Sequence, residues 1–164
     1  MNEFLTEQLV KQRQTSTTLL KKAGLIAVTL FTLPLTVLLQ QPLLIWVTII
    51  LIAVDVFLFK RMNLEFEYVY FNGDLDIDKI MDMQSRKRVF SVNMKDVELV
   101  APVGDSQLHA FERMKAFDYS TNNPQDKTYV MIASFKGQTV KVLFNPNEKI
   151  LKGMQYLAPR KVVF

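Results

Sequence analysis

The spacing of apolar and polar residues divides the chain at Phe59. Ala23–Leu39 runs for 17 residues without a charge, and Leu43–Phe59 for 17 more with Asp55 as the one charge, with only Gln40-Gln41-Pro42 between them. A hydrocarbon core of roughly 30 Å asks for about 20 helical residues, with a minimum near 17. Each run reaches that length once flanking threonines and snorkelling lysines are included. A single helix through both would be far too long, and Pro42 cannot propagate it. The pattern therefore predicts a helical hairpin over residues 21–61. Pro34 should kink its first helix, with Thr32 and Thr36 placed to satisfy the freed carbonyl. A secretory signal would have a shorter apolar core and a small-residue cleavage site. A hairpin buried in a soluble protein would show a polar face, and neither run has one.

After Asn63 the period becomes two. Leu64, Phe66, Tyr68 and Tyr70 alternate with Glu65, Glu67, Val69 and Phe71. Asn72-Gly73 is a hairpin turn, since both central positions of a type I′ turn need positive φ. Leu75, Ile77 and Lys79 then alternate with Asp74, Asp76 and Asp78. A polar turn over 82–87, a short strand Arg88–Val92, a helical turn at 93–96 and a strand Val97–Ala101 follow. Residues 103–126 read as irregular, with a short helix or strand over Leu108–Phe117, before strands Thr128–Phe135 and Gln138–Phe144. Asn145 reads as an N-cap, with Pro146 at the first helical position and Glu148 at the third. Ile150, Leu151, Met154 and Leu157 make the apolar stripe of the helix that Pro159 ends. About six strands and one amphipathic helix imply a curved antiparallel sheet with one end plugged by that helix. Residues 2–20 are polar. Phe4, Leu5, Leu9 and Val10 at helical spacing suit either an amphipathic helix on the membrane surface or an extension of the first span.

Charge adds a direction. The net charge of +4 arises mostly before residue 63, where six basic residues face three acidic ones; the remainder carries 14 and 13. Lys11, Arg13, Lys21 and Lys22 precede the first run, Lys60 and Arg61 follow the second, and the turn between has no cation. The positive-inside rule then predicts both termini cytoplasmic in a multi-pass protein of the inner membrane, with Lys21, Lys22, Lys60 and Arg61 setting the topology. The excess of positive charge is a topology signal and not a nucleic-acid footprint. With no cysteine and one histidine, thiolate chemistry, disulfides and histidine-built metal sites are not expected.

The combination resembles the pleckstrin-homology-like (PH-like) superfold in its bacterial, membrane-tethered form, and in particular an uncharacterised bacterial family of small proteins with a two-helix anchor. The residues carrying the resemblance are the Glu67-Tyr68-x-Tyr70-x-x-Gly73-x-Leu75-x-Ile77 hairpin, Met94-Lys95-Asp96-Val97-Glu98, and the cap Phe144-Asn145-Pro146-Asn147. The resemblance implies an α+β membrane protein. Residues 1–20 form a cytoplasmic segment, 21–61 a transmembrane hairpin, and 62–164 a cytoplasmic antiparallel PH-like sheet or barrel capped by a C-terminal helix. It brings no activity, cofactor or site residue with it.

Chemistry is sparse. Asp55, the single charge between residues 23 and 59, is an intramembrane polar group that can join helices, pair with Lys21 and Lys22, or serve an ion path. Arg86, Lys87 and Arg88 form a basic cluster, expected on a strand turn, where each cation near an anionic leaflet contributes about 1 kcal/mol. Its plainer role is that of a solvated turn next to Asp82, or of a surface salt-bridge partner of Asp74–Asp78. Asp74, Asp76, Asp78 and Asp82 mimic the start of a calcium loop, but the glycine and the terminal glutamate are missing. His109, with Asp105 and Glu112 nearby, has no nucleophile or cofactor motif beside it. The sequence thus favours a non-enzymatic, membrane-anchored interaction module, in the lipid bilayer, that binds a protein partner or its own copies. Sensing of anionic lipid through 86–88 and an oligomeric transport subunit built on Asp55 are the alternatives.

Overall fold

The computed structural model describes residues 5–81 and 85–164, excepting the Arg61 side chain. It divides into two compact units: Gln14–Leu64, and the residues up to Arg13 together with Glu65–Phe164.

The first unit is a helical hairpin, α1 (Ser16–Leu39) and α2 (Pro42–Met62). Gln40 leaves α1 in the left-handed conformation (φ 48°), and Pro42 opens α2 at a position where its missing N–H costs nothing. At 1.5 Å per residue the helices are about 36 and 32 Å long. Both are long and apolar enough to cross a membrane, and only 6 % and 11 % of their most apolar windows are buried. A core helix of a soluble protein would be mostly buried. Both helices continue past the apolar runs into their charged flanks, because Lys21, Lys22 and Lys60 are good helix formers. The Thr32 and Thr36 hydroxyls donate to the Thr29 and Leu33 carbonyls, at 2.7 and 2.6 Å, on either side of Leu30, whose carbonyl Pro34 deprives of its donor.

The second unit holds two four-stranded sheets. The first runs β1 (Leu5–Lys11), β2 (Leu64–Phe71), β3 (Asp74–Met81), β4 (Ser85–Asn93) in that spatial order. Residues 5–11 therefore do not form an amphipathic helix, Phe4 lies outside the described residues, and Ser16–Leu20 extend the first helix. Residues 5–11 are a strand paired antiparallel with β2, from Leu5↔Phe71 to Lys11↔Glu65. The reason is that Thr6, Gln8 and Val10 also alternate with Leu5, Glu7 and Leu9, and a partner strand decides between the two periods. Asn72 (φ 45°) and Gly73 (φ 98°) make the expected turn. The second sheet is ordered β5 (Val97–Pro102), β7 (Tyr129–Phe135), β8 (Gln138–Phe144), β6 (Ala116–Asp118), antiparallel except for β6 against β8. A 3₁₀ turn, Ser106–Phe111, lies in the segment read as irregular.

Tyr68, Tyr70, Leu75, Ile77, Phe90 and Phe144 are fully buried between the sheets, each contributing about 1.5–3 kcal/mol by burial. The helix α3 (Glu148–Leu157) closes this core with Ile150, Leu151 and Met154. Leu157 does not join its stripe and is 51 % exposed. After α3 the chain returns along β5: Val100 N donates to the Lys161 carbonyl (2.7 Å) and Val163 N to the Val100 carbonyl (2.8 Å).

The α3 cap is Asn147, whose side chain accepts from Ile150 N at 2.9 Å, and not Asn145. Asn145 is buried and fully engaged. Its Oδ1 accepts from Thr121 N (2.7 Å), its Nδ2 donates to the Lys127 carbonyl (2.9 Å) and to Thr128 Oγ1 (3.0 Å), and its carbonyl accepts from Gln8 Nε2 (2.9 Å). Gln8 Oε1 in turn accepts from Asn147 N at 2.7 Å, which ties β1 to the start of α3. Asn145 N also donates to Tyr68 Oη (3.3 Å), whose hydroxyl donates to the Tyr119 carbonyl (2.5 Å). Burial raises the phenol pKa of Tyr68 and carries that of Tyr70 up to about 12, with Asp74 adding to the latter.

Two outcomes are expected. Asn145→Ala should cost about 2–3 kcal/mol in chemical unfolding, since it strands several buried groups, against about 1 kcal/mol for the cap variant Asn147→Ala. Equal losses would contradict this assignment. The raised phenols give a stabilisation fully present below the ordinary tyrosine value near 10 and lost as pH climbs through the folded values. Unfolding midpoints should therefore fall between pH 9.5 and 12, and a flat profile would contradict it.

Candidate functional site

The hairpin is apolar outside and polar inside. Among its described residues the buried ones are Thr29, Thr48 and Asp55. Thr29 Oγ1 donates to Asp55 Oδ2 at 2.6 Å, and Thr48 Oγ1 lies 3.3 Å from Thr32 Oγ1, so two polar rungs join α1 to α2. Hydroxyl partners of this kind are how helices bind each other where lipid offers no hydrophobic drive. The expected pairing of Asp55 with Lys21 and Lys22 is replaced by Thr29. Lys22 donates to Asn63 Oδ1 (3.2 Å), which also accepts from Gln14 Nε2 (2.7 Å), and it lies over the Phe59 ring. Lys21 and Asp55 line one groove of about 580 Å³ with Gly24, Leu51, Leu58 and Met62. Lys60 is engaged within the structure, and the Arg61 side chain lies outside the described residues.

The basic cluster belongs to a strand and not to a turn. Arg86, Lys87 and Arg88 sit in β4, in register with Ile80, Lys79 and Asp78 of β3. The two arginines are taken up by carboxylates on the outer face of the sheet. Arg88 reaches Asp76 (2.9 Å) and Asp78 (3.2 Å), while Arg86 pairs with Glu67 and approaches Asp78 (3.8 Å). The Asp78 side chain is 7 % exposed against 57 % for either arginine, so the ladder offsets a nearly buried charge. Asp74 accepts from Asn93 Nδ2 at 2.6 Å, and Asp82 lies outside the described residues.

Lys79 and Lys87 are different. They face each other across β3 and β4, and neither side chain has a carboxylate partner among the described residues. Like charges directly opposite destabilise a sheet unless an anion lies between them. The antiparallel order puts them at the end of the sheet where β1 ends and β2 begins, the end joined covalently to the two helices. Residue-by-residue reading grouped Lys87 with its arginine neighbours; the alternation after Asp78 was the signal that separates them.

His109 Nδ1 is 2.7 Å from Glu112 Oε1 at the exposed end of the 3₁₀ turn, and Asp105 caps that turn by accepting from Gln107 N. No cluster of three or more histidine or carboxylate side chains suited to a metal occurs among the described residues.

With this geometry in place, comparison with known proteins gives one result. The family described as Bacterial PH-like domain (DUF6106) matches residues 2–164, and the chain belongs to that family. No curated protein and no solved structure matches it.

Removing Arg88 should expose the cost of the nearly buried Asp78. Arg88→Ala is expected to lower stability by about 1–2 kcal/mol, discounted for the half-exposed arginine, and Lys87→Ala to leave it unchanged or raise it slightly. Chemical unfolding of the two variants in detergent decides this, and the reverse order would contradict the assignment. Thr29→Val, which removes the hydroxyl without removing volume, should weaken the hairpin by about 0.6–1.7 kcal/mol.

Proposed function

We propose that this bacterial PH-like protein is a non-enzymatic interaction module anchored in the cytoplasmic membrane by α1 and α2, with both termini on the cytoplasmic side. One observation carries the reading. The hairpin is inserted between two strands that pair with each other, leaving four residues (12–15) on one side and Asn63 on the other. Such a domain is held at a membrane surface by two covalent connections, not by a flexible tail. Its interior is built mainly from packed apolar side chains and hydrogen-bonded backbone, and the carboxylates at 67, 76 and 78 are paired with Arg86 and Arg88, which suits display and binding better than catalysis.

The opposed Lys79 and Lys87 favour a second reading, contact with anionic lipid headgroups. It moves the lipid contact from Arg86 and Arg88, which the carboxylate ladder occupies, to the lysine pair. Two cations near a leaflet contribute roughly 1 kcal/mol each, enough to orient a tethered domain but not to anchor a free one. A transport role for Asp55 draws less support, because its carboxylate is bonded to Thr29 of the same hairpin.

Photoreactive residues placed at Glu7 and at Lys87 of the full chain in cells distinguish these readings. The module reading expects the chain in the membrane fraction and one identified protein captured from Glu7. Lipid adducts at Lys87 with no protein at either position would transfer the function to lipid contact. Recovery of the chain in the soluble fraction would overturn both.

A further inference from the structure

At the end of the first sheet opposite Lys11 and Leu64, the chain reverses at Asn72-Gly73 and again at 93–96. Between these turns and the residues after α3 lies a groove of about 500 Å³. Its walls include Lys95, Arg160 and Lys161, and among the described residues no carboxylate residue lines it.

The walls are held in place. Lys161 Nζ donates to the carbonyls of Met94 (3.2 Å) and Lys95 (3.1 Å), pinning the segment after α3 to the second turn. The first turn approaches the helix so closely that a Cβ at Gly73 would meet Leu157 Cδ1 at 2.9 Å. Met94 N donates to the Gly73 carbonyl at 2.8 Å, which joins the two turns. Of the nearby carboxylates, Asp74 is held by Asn93 Nδ2. The Lys95 and Arg160 side chains have no carboxylate partner among the described residues. Beside them, Leu157 is 51 % exposed and the preceding Tyr156 is 87 % exposed, so an apolar lip borders the cations.

We propose that this groove docks a short acidic segment of a partner protein, with carboxylates set at Lys95 and Arg160 and an apolar side chain on Leu157. The inference rests on the interaction-module reading and names where that module binds and the chemistry of what it binds. Lys95 and Arg160, which have no carboxylate partner among the described residues, supply the charge complementarity that selects an acidic partner and steers its approach. The exposed leucine supplies the non-directional contact that a small inorganic anion could not use. The groove lies at the sheet end away from the covalent connections to the helices, so a partner reaches it without competing with the lysine pair.

The test uses the full chain in discs of zwitterionic lipid and a fluorescent ten-residue peptide of alternating glutamate and leucine, read by anisotropy. A lysine–leucine peptide of the same length is the control. The acidic peptide should bind, the basic one should not, and Lys95→Glu with Arg160→Glu should weaken binding at least tenfold. Leu157→Ser should weaken it about threefold or more, and Arg113→Ala with Lys115→Ala, exposed cations with no part in the groove, should leave it unchanged. Unfolding midpoints of the variants establish that they are folded. Absence of binding, equal binding of the two peptides, insensitivity to the groove variants, or full displacement by millimolar inorganic phosphate would each overturn the proposal. The module reading fails on different grounds, the membrane fractionation and capture at Glu7, so a partner captured there with no peptide binding here would remove the groove alone.

Discussion

The pairing of β1 with β2 is the constraint on which the rest depends. Leu5–Lys11 and Glu65–Phe71 are brought into register across some fifty intervening residues. A flexible loop of that length costs about 3.5 kcal/mol to close, apart from a constant term. Most of the intervening chain is not flexible. It is folded into α1 and α2, whose polar rungs hold the two helices side by side and so bring their outer ends together. The pairing of β1 with β2 closes the stretch of chain that contains both helices. Gln8 carries the constraint further, because its side chain bonds both the Asn145 carbonyl and Asn147 N and so links β1 to the cap of α3.

Two opposite solvation patterns follow along one chain. In α1 and α2 the buried residues are two threonines and an aspartate, and the large apolar side chains face outward. In the sheets Tyr68, Phe90 and Phe144 face inward, and charged residues pair on the surface. The second is what driving apolar area from water produces; the first leaves most of its apolar area uncovered and keeps its polar groups inside.

Much of this was legible in the residues. The apolar runs on either side of Pro42 locate the helices, Asn72-Gly73 locates the first turn, and the period of two from Leu64 locates β2. The family resemblance follows from these elements together. What was not legible depended on distant partners. Residues 5–11 carry helical and strand spacings at once, and only β2 decides between them. Asn145 and Asn147 are both acceptable caps locally; Thr121, Lys127 and Gln8, remote in sequence, claim the first and leave the second for α3. Arg86, Lys87 and Arg88 look alike as a run, yet alternation gives the arginines to Glu67, Asp76 and Asp78 and leaves Lys87 opposite Lys79.

The chain has no cysteine of its own, so the central pairing can be tested by one cross-link. Leu9→Cys with Glu67→Cys, opposite each other in β1 and β2, lies within the Cα separation a disulfide tolerates. This pair should close nearly completely under mild oxidation in membranes. Lys11→Cys with Phe71→Cys, on the same face but out of register, should stay reduced. Failure of the first pair to close, or equal closure of both, would contradict the insertion of the hairpin between two paired strands.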